Sequence, residues 1–446
     1  MRAKLGAGKL ALVFGALSCA SSAWSADILQ IYREALVNDA QYAAARATVE
    51  AGREKFPQGL AGLLPTVNAT ANTTWNENQY RLNDKAPTVR KDFNTHAYNV
   101  ALTQPLFRWQ NFVQYGQGKL QVVQAEAVFA QAQQDLILRV AQAYFDVLNA
   151  QENLKAVRAN KQAVAQQLEL AKKSFEVGTV TITDTHEAQS RFDLVSAQEI
   201  AAESDLEVKR YALRQIVGKE SGELNRLKAQ AELRPPQPAS MDKWVESAER
   251  DSFSVQAQQA SAEIAEKEVE KQRAGHYPTL DVVANYGNGK TAVSYTSNNT
   301  LDTDSRNVAL QLTIPIFQGG AVNSKTREAV ANRMAADANL DAARRTAALS
   351  ARQSYLGVVN GLAQVRALEA ALVSSTSALD SNKLGYEVGV RINIDVLNAE
   401  NQLYVTKRDL AKARFDTLLA QLKLKAAVGS LGEADLEQIN PLFETP

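Results

Sequence analysis

The side chains able to carry chemistry do not assemble into a reaction centre. His96, His186 and His276 stand far apart, and none has a second histidine at metal-ligand spacing. His186-Glu187 lacks the second histidine of a zinc-protease helix, and His276 precedes Tyr277-Pro278 at a helix-to-strand junction, where a structural role is expected. The stretch Ala284-Asn-Tyr-Gly-Asn-Gly289-Lys290-Thr291 has a relaxed phosphate-loop pattern after a strand. Its first glycine is missing, and the sequence runs on as Ala-Val-Ser-Tyr with no helical pattern, whereas a phosphate loop must open a helix facing the phosphates. No Gly-x-Ser-x-Gly elbow occurs, and the paired carboxylates lie on helical stretches where such pairs are ordinarily solvated. The residues therefore predict no catalytic group, no cofactor and no metal.

One motif is left, and it occurs twice. Phe175-Glu-Val-Gly178-Thr-Val-Thr-Ile-Thr-Asp184 matches Tyr386-Glu-Val-Gly389-Val-Arg-Ile-Asn-Ile-Asp395 at an offset of 211 residues. Each copy lies between two long helical patterns. Val-Gly, then mostly β-branched residues, then Asp reads as a helix stop, a short extended turn and a new N-cap, so each copy is the tip of a helical hairpin with Asp184 or Asp395 expected as the cap. Tyr386 and Arg391 break the symmetry, because their counterparts are Phe175 and Val180. A polar contact made in one copy only is expected there. Asp184 is a plausible acceptor for Arg391, since arginine to carboxylate is strong and geometrically specific; incidental surface charge is the alternative.

The elements around the tips repeat with them. Tyr144 matches Tyr355, and Val217-Gly218 matches Val428-Gly429, at the same offset of 211. Leu102-Thr-Gln-Pro105-Leu-Phe107 matches Leu312-Thr-Ile-Pro315-Ile-Phe317 at 210, and Leu64-Pro65-Thr66-Val67 matches Tyr277-Pro278-Thr279-Leu280 at 213. Two units this long imply a duplicated domain rather than a solenoid. The first is expected over 27–217, with an Ala-rich helix from Asp27 to Phe56, strands at about 65–105, a long helix 107–176, a tip 177–183 and a helix 184–217. A linker, 218–240, contains Arg234-Pro-Pro-Gln-Pro238 and reads as irregular. The second unit, 241–446, has a helix, strands at about 278–315, a long helix 317–387, a tip 388–394, a helix 395–428 and a C-terminal tail.

The strands alternate. Val67, Ala69, Ala71 and Trp75 oppose Asn68, Thr70 and Asn72; Val308, Leu310 and Leu312 oppose Asn307, Gln311 and Thr313. Loops are expected at about 76–92 and 287–305. One face is apolar and the other rich in amides and hydroxyls, which fits a half-exposed soluble hairpin or a membrane β-barrel with a wet interior. Four strands cannot close a channel, for which about eight are needed, so the membrane reading requires several copies. The helices carry no proline from Leu106 to Arg234 or from Ile316 to Asn440. Val396, Leu403, Leu410, Thr417 and Leu424 recur every seven residues, with Ala399, Thr406, Ala413, Ala420 and Ala427 three further on, a close-packed coiled-coil seam.

The N-terminus reads as a signal peptide over 1–26, with basic Arg2, Lys4 and Lys9, an apolar run Leu10–Leu17 and small residues to Ala26. Cys19, the one cysteine, is either an acylated N-terminus or a small residue within that peptide. No other stretch reads as a transmembrane helix. Basic and acidic residues number 49 each, and without the leader 46 against 49, which gives no electrostatic footprint for nucleic acid.

From about Asp27 to Asn440 the chain resembles the TolC family of outer-membrane factors. The resemblance is carried by Tyr144-Phe-Asp-Val-Leu-Asn149, the two tips, Pro278-Thr-Leu-Asp281, Pro315-Ile-Phe-Gln-Gly-Gly320-Ala-Val-Asn-Ser324 and Leu410-Ala-Lys-Ala-Arg414-Phe415. It implies a mainly α chain with a membrane β-barrel portion that assembles as a homotrimeric channel-tunnel. Three chains of four strands would form a twelve-stranded barrel in outer-membrane lipid. The long helices would form a periplasmic α-barrel with a mixed equatorial region. The implied function is a non-enzymatic exit duct for a tripartite efflux or type I secretion system, served by a periplasmic adaptor and an inner-membrane pump of ABC or RND type. A periplasmic coiled-coil scaffold without a pore is the alternative. By resemblance Thr183, Asp184, Tyr386 and Arg391 lock the entrance, Asp395 forms an acidic constriction ring, and Val177, Gly178, Val388 and Gly389 are adaptor-docking tips. Asn398 stands where similar chains can carry a second Asp, which weakens the expectation of a second acidic ring and of cation binding there.

Overall fold

The computed structural model describes residues 27–81, 87–228, 230–292 and 300–445. The signal peptide and Cys19 lie outside the described residues. Asp27 caps α1 (Ile28–Asn38) by accepting from the Gln30 amide at 2.6 Å, and Asp39 caps α2 (Ala40–Arg53) by accepting from Tyr42 at 2.6 Å. The single helix expected from Asp27 to Phe56 is thus broken at Asp39 and continues as α3 (Lys55–Ala61). Next come β1 (Thr66–Tyr80), β2 (Val89–Phe107), α4 (Trp109–Glu176), α5 (Ile182–Val217), the two-residue β3 (Arg226–Leu227), α6 (Met241–Asp251) and α7 (Phe253–Arg273). The second half completes the chain with β4 (Thr279–Ala292), β5 (Thr300–Thr313), α8 (Ala321–Glu387), α9 (Asn393–Ala427), α10 (Glu433–Ile439) and β6 (Phe443–Glu444).

The hairpins β1–β2 and β4–β5 join through β2 and β4 into one antiparallel sheet of order β1-β2-β4-β5. Its register sorts the two faces. Val67, Leu102, Ala284 and Val308 form one row across the sheet, and Asn68, Ala101, Asn285 and Asn307 form the next, on the opposite face. The strands outrun the expected loops: Asn76–Tyr80 stay paired with Val89–Phe93, and Gly287–Ala292 pair with Thr300–Ser305. Ladder hydrogen bonds need no apolar side chains, so polar ends extend the hairpins. Gly289-Lys290-Thr291 therefore sit in a strand and open no helix. Pro105 lies inside β2 opposite Asp281, beyond Thr103 where the ladder to β1 ends, so its missing N–H breaks no bond with that strand. At the foot of the sheet Arg108 clasps the buried Asp281 carboxylate with two bonds, 2.8 and 2.7 Å, tying the start of α4 to β4.

α4 and α8, with 68 and 67 residues, each run about 100 Å at the helical rise. The seven-residue seam of α9 is real: Val396, Leu403, Leu410 and Leu424 are buried, with Thr406, Ala413 and Thr417 between them. Gly361 of α8 lets the two helices meet there, since a Cβ at that site would lie 2.4 Å from Thr417 Oγ1. An 18-residue window of α8 reaches a mean hydropathy of 1.3, so by length and composition this helix, contrary to expectation, would suffice to cross a bilayer. Only 11% of that window is buried within one chain.

The largest core among the described residues lies midway along α4, against the C-terminal ends of α5 and α9. Leu136, Val140, Tyr144, Val147 and Leu148 of α4 meet Ile28 and Ile31 of α1, Leu213 and Val217 of α5, Leu418 and Leu422 of α9, and Phe443. The Tyr144 hydroxyl donates to the Asn225 carbonyl at 3.1 Å. Asp39, 4% exposed, binds Arg139 of α4 through both oxygens at 2.8 and 3.0 Å. The linker 218–240 is not wholly irregular, because β3 pairs with β6, and Gln421 of α9 donates to the Arg234 carbonyl at 2.8 Å to hold its proline-rich part.

Candidate functional site

The hairpin tips stand at the far end from the sheet. Each first arm ends in a left-handed glycine, Gly178 at φ 76° and Gly389 at φ 81°. The Thr179 amide returns to the Ser174 carbonyl at 2.9 Å, and the Val390 amide to the Gly385 carbonyl at 2.9 Å, which satisfies the orphan carbonyls of the helix ends. Val177 and Val388 project into solvent at 74% and 64% exposure, with Val390 and Ile392 beside them.

The second arms begin earlier than expected. Thr181, not Asp184, is the N-cap of α5, and Asp184 is the third helical residue of a capping box. Its carboxylate accepts from the Thr181 amide at 2.9 Å and hydroxyl at 2.8 Å, while the Asp184 amide donates to the Thr181 hydroxyl at 3.3 Å. In α9 the N-cap is Ile392, with no side-chain cap bond, and Asp395 takes the third helical position. In the first tip the helix starts at Thr181 because its hydroxyl takes the cap and Asp184 reaches back from the third helical position to the free amide. Asp184 is thus engaged with its own helix end, and Thr183 is exposed on the first turn.

Arg391 lies over Gly385, where a Cβ would come within 2.7 Å of its Cγ. Its amide donates to the Gly385 carbonyl at 3.0 Å, and its guanidinium stands 3.7 Å from Asp395, four residues further along the same chain. Within one chain, then, Arg391 faces Asp395 rather than Asp184. The pair is solvent-exposed and contributes little to stability. The Tyr386 ring packs against the seam of Leu379, Val396 and Leu403. Asn398, expected at the constriction with Asp395, is exposed and accepts a hydrogen bond from Arg191 of α5 at 3.0 Å.

Two polar contacts at this end escaped the sequence reading. One is Arg191–Asn398, which bridges the two hairpins. The other is Glu400, 2% exposed, held by Lys383 of α8 at 3.1 Å. The signal for both lay in the repeat, since Arg191 matches Gln402 and Glu400 matches Gln189, each charged in one copy only. Between the hairpins Leu397 packs with Val164 and Val195, so α9 lies against α4 and α5 just behind the tips. Among the described residues no His, Cys, Asp and Glu cluster is arranged to hold a metal.

The comparisons with known proteins agree with this architecture. The family model described as "Outer membrane efflux protein" matches twice, at residues 31–219 and 244–430, once per repeat. The chain is 34% identical to Outer membrane protein TolC of Vibrio cholerae over 431 residues, covering 96% of each. It is 33% identical to Alkaline protease secretion protein AprF of Pseudomonas aeruginosa, covering 97% of this chain and 92% of that one. Among solved structures, the Campylobacter jejuni CmeC outer membrane channel superposes with a TM-score of 0.78 at 16% identity, over 99% of this chain and 97% of that one. The outer membrane protein VceC from Vibrio cholerae superposes with a TM-score of 0.75 at 19% identity, over 90% and 96%. A duplicated hairpin pair carrying a four-stranded amphipathic sheet at one end, matched over nearly its full length by these relatives, makes this chain a member of the outer membrane efflux protein family.

Proposed function

We propose that the protein is the passive outer-membrane exit duct of an efflux or secretion system, working as a homotrimer. The observation that carries this reading is the sheet. It has an apolar face, a face of Asn, Ser and Thr, and two outer strands, β1 and β5, that pair on one side only. Open edges on a four-stranded amphipathic sheet call for pairing with further copies, and three copies supply enough strands to close a barrel around water. The largely uncovered seam of α8 would be buried by the same assembly, as the long helices pack side by side into a periplasmic tube.

In this reading the tips are the periplasmic entrance. Val177, Gly178, Val388 and Gly389 dock a periplasmic adaptor, and an inner-membrane pump supplies the energy. Tyr386 and Arg391 lock the closed entrance against Thr183 and Asp184. Since Arg391 faces Asp395 within its own chain, the lock partner is Asp184 of a neighbouring copy. Asp395 contributes three carboxylates around one axis. The printed names of two relatives, Alkaline protease secretion protein AprF and Proteases secretion protein PrtF of Dickeya chrysanthemi, favour protein secretion as one cargo class.

Single-channel conductance of the detergent-purified protein in a lipid bilayer tests the proposal. The parent should show a small conductance that rises several-fold in the Tyr386→Phe, Arg391→Ser double variant. A large conductance unchanged by the variant would keep the duct and remove the lock from these residues. A folded preparation with no conductance in either form would favour a scaffold without a pore.

A further inference from the structure

The structure assigns Arg191 a role in setting the ionic selectivity of the entrance. This inference rests on the trimeric duct reading. Arg191 Nη2 donates to Asn398 Oδ1 at 3.0 Å, reaching across from α5 to the turn of α9 that follows Asp395. Four residues before Asp395, Arg391 places its guanidinium 3.7 Å from that carboxylate. Each chain therefore places two guanidinium groups and one carboxylate along a short stretch at the start of α9. Asp184 keeps its charge while it caps its own helix and, as the lock partner of Arg391, brings the count to two guanidinium groups against two carboxylates; Asp193 accepts from Gln189 at 2.9 Å, and Glu400 is buried with Lys383. Glu187, one turn before Arg191, is a further exposed carboxylate, and Glu176 and Glu387 stand at the ends of the first arms.

A ring built from Asp395 alone would concentrate cations, because like charges around a narrow low-dielectric opening focus the field. Arg191 opposes that field. It holds a fixed positive charge where Asn398 offers only an amide, and the hydrogen bond keeps the guanidinium on α9 rather than free to swing into solvent. The entrance is accordingly near-neutral to weakly selective, and a duct of this kind admits anionic cargo with little electrostatic penalty.

Reversal potentials in a KCl gradient across a bilayer holding the detergent-purified channel test this. Arg191→Gln should raise the K⁺/Cl⁻ permeability ratio roughly two- to fivefold. Glutamine is the residue that the second repeat carries at the matching position, Gln402, so the change suits a helix of this register. Arg191→Lys, which keeps the charge, should leave the ratio at the parental value. Asn398→Asp alone should move it less than the same change combined with Arg191→Gln, because Arg191 neutralises the new acid. A conducting channel whose ratio is the same in the parent and in the Arg191→Gln variant overturns the inference and leaves the duct intact. A strongly cation-selective parent overturns it as well. Absence of any conductance overturns the duct reading itself.

Discussion

Asp39 shows how one side chain can hold two elements. It caps α2 and also binds Arg139 through both oxygens while 4% exposed. The Arg139 hydrogen bonds hold its carboxyl below the ordinary aspartate range, and burial opposes them. A depressed folded-state pKa means that the pair stabilises the protein fully above the ordinary aspartate value and that this contribution is lost as the pH falls through the depressed one. Asn at this site keeps the cap and removes the ion pair. Asp39→Asn is therefore expected to lower stability by about 2–3 kcal/mol at pH 7, since it leaves a partly buried guanidinium without its counter-charge. Urea unfolding of the detergent-solubilised protein measures it, and the gap between parent and variant should narrow below about pH 4. An equal gap at all pH values would assign the loss to packing.

At the scale of the element, the α8–α9 hairpin depends on closeness. A Cβ on Gly361 would meet the Thr417 hydroxyl at 2.4 Å, and Thr417 is 1% exposed and donates to the Ala413 carbonyl at 2.7 Å, so its hydroxyl has nowhere to retreat. Alanine normally stabilises a helix interior by about 1 kcal/mol over glycine. Here overpacking of about 1–3 kcal/mol outweighs that gain. Gly361→Ala should lower the melting temperature, and a rise would show that the seam can part at no cost. The tips obey a second element-scale rule. A left-handed glycine ends each first arm, and in the first tip the Thr181–Asp184 capping box starts the second, so local backbone and side-chain hydrogen bonds set the shape of that turn.

At the scale of the whole molecule, the sheet predicts which face meets lipid. Val308 and Asn307 are neighbours on β5 that point to opposite faces, in rows with Val67, Leu102 and Ala284 and with Asn68, Ala101 and Asn285. Val308→Lys should cost about 2–4 kcal/mol if its face lies against the bilayer midplane, and Asn307→Lys close to nothing if it lines water. Heat-resistant oligomer recovered from outer membranes reads the difference. Equal recovery of the two variants would argue against the barrel, and the reverse order would turn the sheet inside out.

The sequence by itself determined the duplication, the four alternating strands, the two long helices and both tips, because each is a periodic or locally coded feature. Strand alternation, the seven-residue seam of α9 and the Val-Gly turn all act over a few residues. It misplaced what depends on competition at an element's end: the break at Asp39, the caps at Thr181 and Ile392, and the polar strand ends that run on to Tyr80 and Ala292. Tertiary structure alone decided the pairing of β2 with β4 that fuses two repeats into one sheet, the β3–β6 contact, the Arg139 clasp on Asp39 and the Arg191–Asn398 bridge. Those contacts join residues from 100 to more than 200 positions apart. No local pattern encodes such a meeting, and it is fixed only when the helices and strands have packed and each buried or crossing polar group has found the one partner within reach.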